Sequence, residues 1–194
     1  MRREAMRRAV GFSLVELIVA LAVAMVLVAV GLPMFLRAYH VYQLNNAARE
    51  MADILRLARY EAIRLNKPVN CVIKATGSTP PTTNVWVDSN NSGTLDPTEK
   101  MILLGSGGNL VGSPGTPPPL SGDIGAMLTT SPSPSSSTLT FDARGAVKPP
   151  TMVNVFYLSS ALASDAGYRA VVLMPAGTIQ IWTADGSLSW QQLR

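Results

Sequence analysis

The chain has 194 residues, formal net charge +4, one cysteine and one histidine. A single cysteine excludes an intramolecular disulfide. With only one histidine beside it, a His/Cys metal site and a histidine-dependent catalytic triad in a soluble domain are excluded too. The charge is unevenly placed: Arg2, Arg3, Arg7 and Arg8 against Glu4 give the first eleven residues +3, and 12 basic and 11 acidic side chains remain for the rest. The high pI is therefore largely a property of the leader and says little about nucleic-acid binding by the folded part.

From Leu17 to Leu36 the chain carries no charge, interrupted only by Gly31 and Pro33. Twenty residues at about 1.5 Å each span the roughly 30 Å of bilayer hydrocarbon. The run is longer than the core of an ordinary secretory signal, and no small-residue cleavage site closes it. It reads as an anchor, and the preceding arginines predict a cytoplasmic N-terminus with the C-terminal domain exported. Pro33 removes a backbone donor, so Gly31 and Pro33 are expected to form a weak point in the helix. Glu16 is the anomaly. A charge at a bilayer centre costs about 2.5–3.5 kcal/mol on insertion scales, so this acid calls for a partner.

Beyond Arg37 the pattern becomes amphipathic. Leu44, Ala48, Met51, Leu55, Ala58 and Ala62 recur at spacings of three and four, with Asp53 able to pair with Arg49 and Arg56 on the wet face. Pro68 predicts a stop near Asn66. One helix of some fifty residues follows, half apolar throughout and half amphipathic. Period-two runs come next: Val69 to Ile73, Asn84 to Val87, Lys100 to Leu104, Thr138 to Phe141, Met152 to Leu158, Tyr168 to Met174 and Thr178 to Thr183. Short turns between successive strands predict an antiparallel sheet packed on the amphipathic half-helix, an α+β fold. The stretch 105–137, rich in Gly, Pro and Ser, is expected to be a partly disordered loop without a core role. The expected organisation is a leader (1–11), an apolar helix (12–36), an amphipathic helix (37–67) and a sheet domain (68–194).

Asp88 to Glu99 fits a twelve-residue calcium loop. Asp88, Asn90, Ser92, the Thr94 carbonyl, Asp96 and Glu99 would supply oxygen, and Gly93 the sharp turn. Strands flank it where that pattern has helices, and the same residues suit a polar hairpin loop. Cys71 reads as a buried strand residue, His40 as an interfacial one, and Trp86, Trp182 and Trp190 as core. No phosphate loop, nucleophile elbow or paired carboxylates indicate an enzyme.

Gly11-Phe12-Ser13-Leu14-Val15-Glu16, with a basic leader before it and an apolar run after it, resembles the signal of type IV pilins and type II secretion pseudopilins. The resemblance implies cleavage by a prepilin peptidase between Gly11 and Phe12, and N-methylation of Phe12. It implies filament assembly in which Glu16 meets the new amino group of Phe12 on a neighbouring subunit, with other pilins, an inner-membrane assembly platform and the lipid bilayer as partners. Leu57 to Arg64, then Pro68-Val69 and Cys71, and later Phe141-Asp142-Ala143-Arg144-Gly145, resemble the GspH/FimT group. Its members are minor subunits that prime or cap a type II secretion pseudopilus or a type IV pilus. The other reading is a filament-tip binding module for secreted substrate, DNA or a surface. Some FimT proteins bind DNA through a Gly-Arg-x-Arg motif; the matching place here, Gly177-Thr178-Ile179-Gln180, has no arginine, which argues against DNA.

Overall fold

The computed structural model describes residues 13–76, 82–120 and 136–193. It opens with one helix, α1 (Leu14–Leu65), 52 residues long with Pro33 in its interior. Ten strands follow: β1 (Val69–Thr76), β2 (Thr82–Asp88), β3 (Met101–Leu104), β4 (Asn109–Val111), β5 (Ser136–Phe141), β6 (Val147–Lys148), β7 (Asn154–Ser159), β8 (Tyr168–Leu173), β9 (Ile179–Ala184) and β10 (Trp190–Leu193). Two compact units meet between Ala38 and Tyr39. In the first, every large apolar side chain from Leu14 to Leu36 is exposed, and the helix is long and apolar enough to cross a membrane.

The end of α1 is set by a local device. Asn66 takes a left-handed φ of 49°. Its N–H donates to the Ile63 carbonyl (3.2 Å) and the Lys67 N–H to that of Ala62 (3.3 Å). This is a Schellman closure with Asn in the position glycine usually fills. The expected stop near Asn66 is where the helix ends.

The six apolar helix positions picked out by spacing are all fully buried, joined by Ala47, Ala52 and Ile54. They pack on two sheets, not one. The first has order β3-β2-β1-β5-β6 and the second β10-β9-β8-β7-β4, and every pairing is antiparallel. In the first, Val69 faces Phe141, Cys71 faces Val87 and Leu139, and Ile73 faces Val85, so one apolar row crosses three strands towards the helix. In the second, Phe156, Leu158, Val171 and Leu173 join the same core. Their neighbours Val155, Tyr157, Ala170 and Val172 form a separate cluster on the opposite face. A strand buried on both faces has no alternation to read, as in Ala170-Val171-Val172-Leu173.

That second cluster needs a cover, and the stretch expected to be an idle loop supplies it. Residues 105–120 have a core role. Leu110 is buried, and β4 pairs with β7. Val111 and Leu120 pack on the outer cluster, where the Trp190 indole N–H donates to the Thr116 carbonyl (2.9 Å). The buried Asn109 accepts from the Thr83 hydroxyl (2.8 Å), tying β4 to β2 of the other sheet. Gly108 lies flush on α1, where an added Cβ would stand 2.6 Å from that of Ala47. Sequence hid this because β4 has three residues, too few for a period, and its partner β7 is far along the chain. The rest of the expected loop up to β5, residues 121–135, lies outside the described residues, and β5 begins at Ser136.

Candidate functional site

Ser13 and Glu16 open α1. The Ser13 hydroxyl accepts the Glu16 N–H (3.2 Å), and the Ser13 carbonyl accepts that of Leu17 (3.2 Å). Ser13 is therefore the N-cap, and the Ser-x-x-Glu spacing is that of a capping box. Glu16 sits exposed in the first turn, where the helix dipole favours an anion. The acid that looked misplaced in an apolar run thus has a local reason for its position; the signal was legible as Ser13-x-x-Glu16. Gly11 and Phe12 lie outside the described residues. Gly31 has no atom within 4 Å of an added Cβ, and the helix is continuous through Pro33.

The 88–99 segment joins β2 to β3. Asp88 is fully buried; its two carboxylate oxygens accept the N–H groups of Ser92 (3.0 Å) and Gly93 (2.8 Å). Glu99 accepts from the amides of Ser89 (3.0 Å) and Asp96 (3.1 Å), and the Asn90 side-chain amide donates to Asp96 (2.6 Å). Ser92 bonds the Thr94 carbonyl (2.9 Å), and Gly93 carries the turn at φ 76°. The six residues singled out from sequence are thus brought into one hairpin connection. Among the described residues no group of three or more His, Cys, Asp or Glu is gathered as for a metal ion.

Sequence reasoning missed a junction at Arg59. Its guanidinium donates to the Gly177 carbonyl (3.2 Å) and lies between two turns, Asp142–Ala146 and Met174–Thr178. A Cβ on Gly145 would stand 2.9 Å from Arg59 Nε; one on Gly177 would stand 2.8 Å from it and 2.2 Å from the Gly145 carbonyl oxygen. Both glycines have positive φ, 78° and 80°. One turn belongs to each sheet, so the helix arginine clasps the two. Asp142 holds the first turn: its carboxyl sits below the usual range chiefly because it accepts the Ala146 N–H, with that of Arg144 adding to it. A second link is Arg169, buried without a carboxylate partner among the described residues and bonded to Asn45 of α1 (2.6 Å); burial lowers its pKa. Cys71 is buried and its thiol is pushed up to about 12 by desolvation.

Residues 47–177, running from the helix through the Arg59 clasp, match the profile of the family described as "Type II transport protein GspH". The chain belongs to the GspH family. As a GspH-family chain it is a minor pseudopilin or minor pilin subunit, and its one long apolar N-terminal helix fits a single-pass inner-membrane anchor. The GspH family is one of structural pilin subunits, not of enzymes, and implies association with other pilin-type subunits. Among solved structures, the chain is similar to the type IV minor pilin FimU of Pseudomonas aeruginosa PAO1 in two crystal forms. The P21 form is 17% identical over 79% of this chain and 94% of that one, with TM-score 0.45; the P65 form is 18% identical over 78% and 98%, with TM-score 0.48. No curated protein is similar enough to be matched.

Proposed function

We propose that this subunit primes or caps a filament of a type II secretion or type IV pilus machine. A prepilin peptidase on the cytoplasmic side removes residues 1–11 and methylates Phe12. The observation that supports this reading most is the start of α1: a capped helix with an exposed Glu16 as its third residue. In a filament, the Phe12 amino group of a neighbouring subunit would neutralise that acid. The inner-membrane platform then receives the anchored subunit, the C-terminal domain being on the far side of the membrane. Gly31 and Pro33 give the apolar half of α1 a place to bend during that transfer. The test is Glu16→Ala in the full chain. Leader cleavage proceeds, read as the mass of the mature chain plus one methyl group, while incorporation into filaments and secretion or piliation fall. Undiminished incorporation counts against the proposal.

Calcium ligation by residues 88–99 is a separate proposal. It is supported by the twelve-residue pattern and by the buried Asp88 carboxylate, which makes no ion pair among the described residues. Asn90, Ser92 and the Thr94 carbonyl would join Asp88, Asp96 and Glu99 as ligands. Calorimetry with calcium chloride should give heat and a raised Tm that Glu99→Gln removes; no heat and no shift at millimolar calcium would end the idea.

A further inference from the structure

The apolar run of α1 ends at Leu36, and the helix continues without a break through Arg37, Ala38 and Tyr39. At about 1.5 Å per residue, Tyr39 stands about 4.5 Å past Leu36 along the helix and Tyr42 about 9 Å past it. A headgroup layer is about 5–8 Å deep on each side of the hydrocarbon, so the two tyrosines fall within it and at its outer rim. Tyr39 is 48% exposed and Tyr42 66%. Tyrosine suits that depth, with an apolar ring and a polar hydroxyl.

The fold brings a second element to the same level. The turn after β3 rests on α1: a Cβ on Gly107 would stand 2.8 Å from Gln43 Oε1, and one on Gly108 would stand 2.6 Å from the Ala47 Cβ. The segment after β7 hangs from that turn, the Ala161 N–H donating to the Ser106 carbonyl (3.0 Å). The chain therefore reverses, over residues 160–167, near the level of Gln43, one helical turn from Tyr39. This reversal is tightly held. The Leu162 N–H donates to the Ser160 hydroxyl (3.2 Å) and the Ala166 N–H to the Ala163 carbonyl (3.2 Å), while Ala163 and Ala166 pack on the main core. Leu162 is left 58% exposed at the tip. A lone exposed leucine is ordinary on a protein surface. This one is held out by a fixed loop at the end of the domain that the helix enters. Asp165 and Asp185 are exposed at the same end, the Asp185 Cα standing 3.0 Å from where a Cβ on Gly167 would lie. Their charge keeps the loop from sinking beyond the headgroups.

We propose that Leu162 and the Tyr39–Tyr42 turn of α1 form one lipid-contact surface, on which the sheet domain sits against the bilayer with Leu162 at the boundary of headgroups and acyl chains. The occupant is the lipid that holds the apolar run of α1. Continuity selects it, since the first tyrosine follows that run by less than one helical turn. The surface rests on the reading of α1 as a membrane anchor and adds to it a second point of contact, from a loop far along the chain. One leucine at that boundary holds weakly, so the contact releases when the subunit leaves the bilayer for a filament.

The test uses the full chain in nanodiscs of phosphatidylethanolamine and phosphatidylglycerol. An environment-sensitive maleimide fluorophore is placed on Ala161→Cys, on Val28→Cys or on Arg144→Cys; Cys71, buried with its thiol pushed up to about 12, stays unlabelled. Arg144 is exposed in the turn beside Arg59, about 24 Å further along α1 than Gln43. Lipid carrying a nitroxide near the headgroup should quench the Ala161→Cys label by about half and leave the Arg144→Cys label unchanged. Leu162→Asp should abolish the quenching at Ala161→Cys, and Leu162→Phe should keep it. A water-like, unquenched Ala161→Cys label, or quenching unmoved by Leu162→Asp, would overturn the proposal. The Val28→Cys label, with nitroxide placed deep in the acyl chains, reports on the anchor separately: its quenching beside an unquenched Ala161→Cys label rejects the contact surface alone, and no quenching at either rejects the anchor as well.

Discussion

At the scale of single residues, Gly177 shows how a backbone conformation becomes a tertiary requirement. Its φ of 80° is strained for any side chain, and a Cβ there would overlap the Gly145 carbonyl at 2.2 Å. Gly93 has nearly the same φ, 76°, but open space around it. Gly93→Ala should therefore cost about 1 kcal/mol from strain alone. Gly177→Ala should cost at least about 2 kcal/mol more, since the Arg59 clasp must also give way. Chemical denaturation of the two variants measures the difference; equal losses would mean that the clasp carries no stability. The Gly177-Thr178-Ile179-Gln180 place, singled out in sequence for the arginine it lacks, has this packing role for its glycine. Ser13 and Glu16 illustrate the opposite case, since a cap three residues from its partner is local and readable from the chain alone.

Among the elements, α1 was the easiest to foresee. Its core face, its length and its stop at Asn66 follow from spacing and from Pro68, because a helix is made of contacts three and four residues apart. The longer strands were legible for a similar reason: Asn84 to Val87 falls within β2 and Tyr168 to Met174 nearly coincides with β8. β4, β6 and β10 were not, with three, two and four residues. Their existence depends on partners that sequence does not display. The 105–120 segment follows the same logic: a run of Gly, Pro and Ser is structured because an apolar sheet face lies beneath it. Asn109→Ala should thus destabilise the fold by about 1–3 kcal/mol by orphaning the buried Thr83 hydroxyl. Ser106→Ala, in the same stretch but using only its backbone carbonyl as acceptor, should be near neutral. Thermal melts of both variants check the contrast.

For the molecule as a whole, the acid response is expected to come from exposed turns, since the ion pairs among the described residues, Arg56–Asp53 and Arg64–Glu61, are local surface pairs on α1. Asp185 lies below the usual carboxylate range chiefly through the Ser187 hydroxyl, with the Ser189 and Ser187 amides adding to it, and Asp142 does so through Ala146. A carboxyl whose folded pKa is depressed binds its proton more weakly in the folded state. Its contribution is complete above the unfolded value of about 3.9 and is lost as pH falls below it. Stability should therefore be flat from neutral pH to about 5 and decline below 4. Asp142→Asn with Asp185→Asn should shallow that decline, as read from denaturant midpoints against pH. An unchanged acid limb would mean that other carboxylates set it.

The sequence by itself determined the class of this protein: a basic N-terminus, an apolar run, an acid at the helix start, and an amphipathic helix leading into short strands. These are statements about neighbours within a few residues, and local periodicity carries them. Only the tertiary structure decided that the strands divide into two sheets, that residues 105–120 cover the second, and that Arg59 clasps a turn from each. Those features join residues as far apart as Arg59 and Gly177, 118 positions along the chain. Burial and backbone approach between such partners leave no periodic trace in composition.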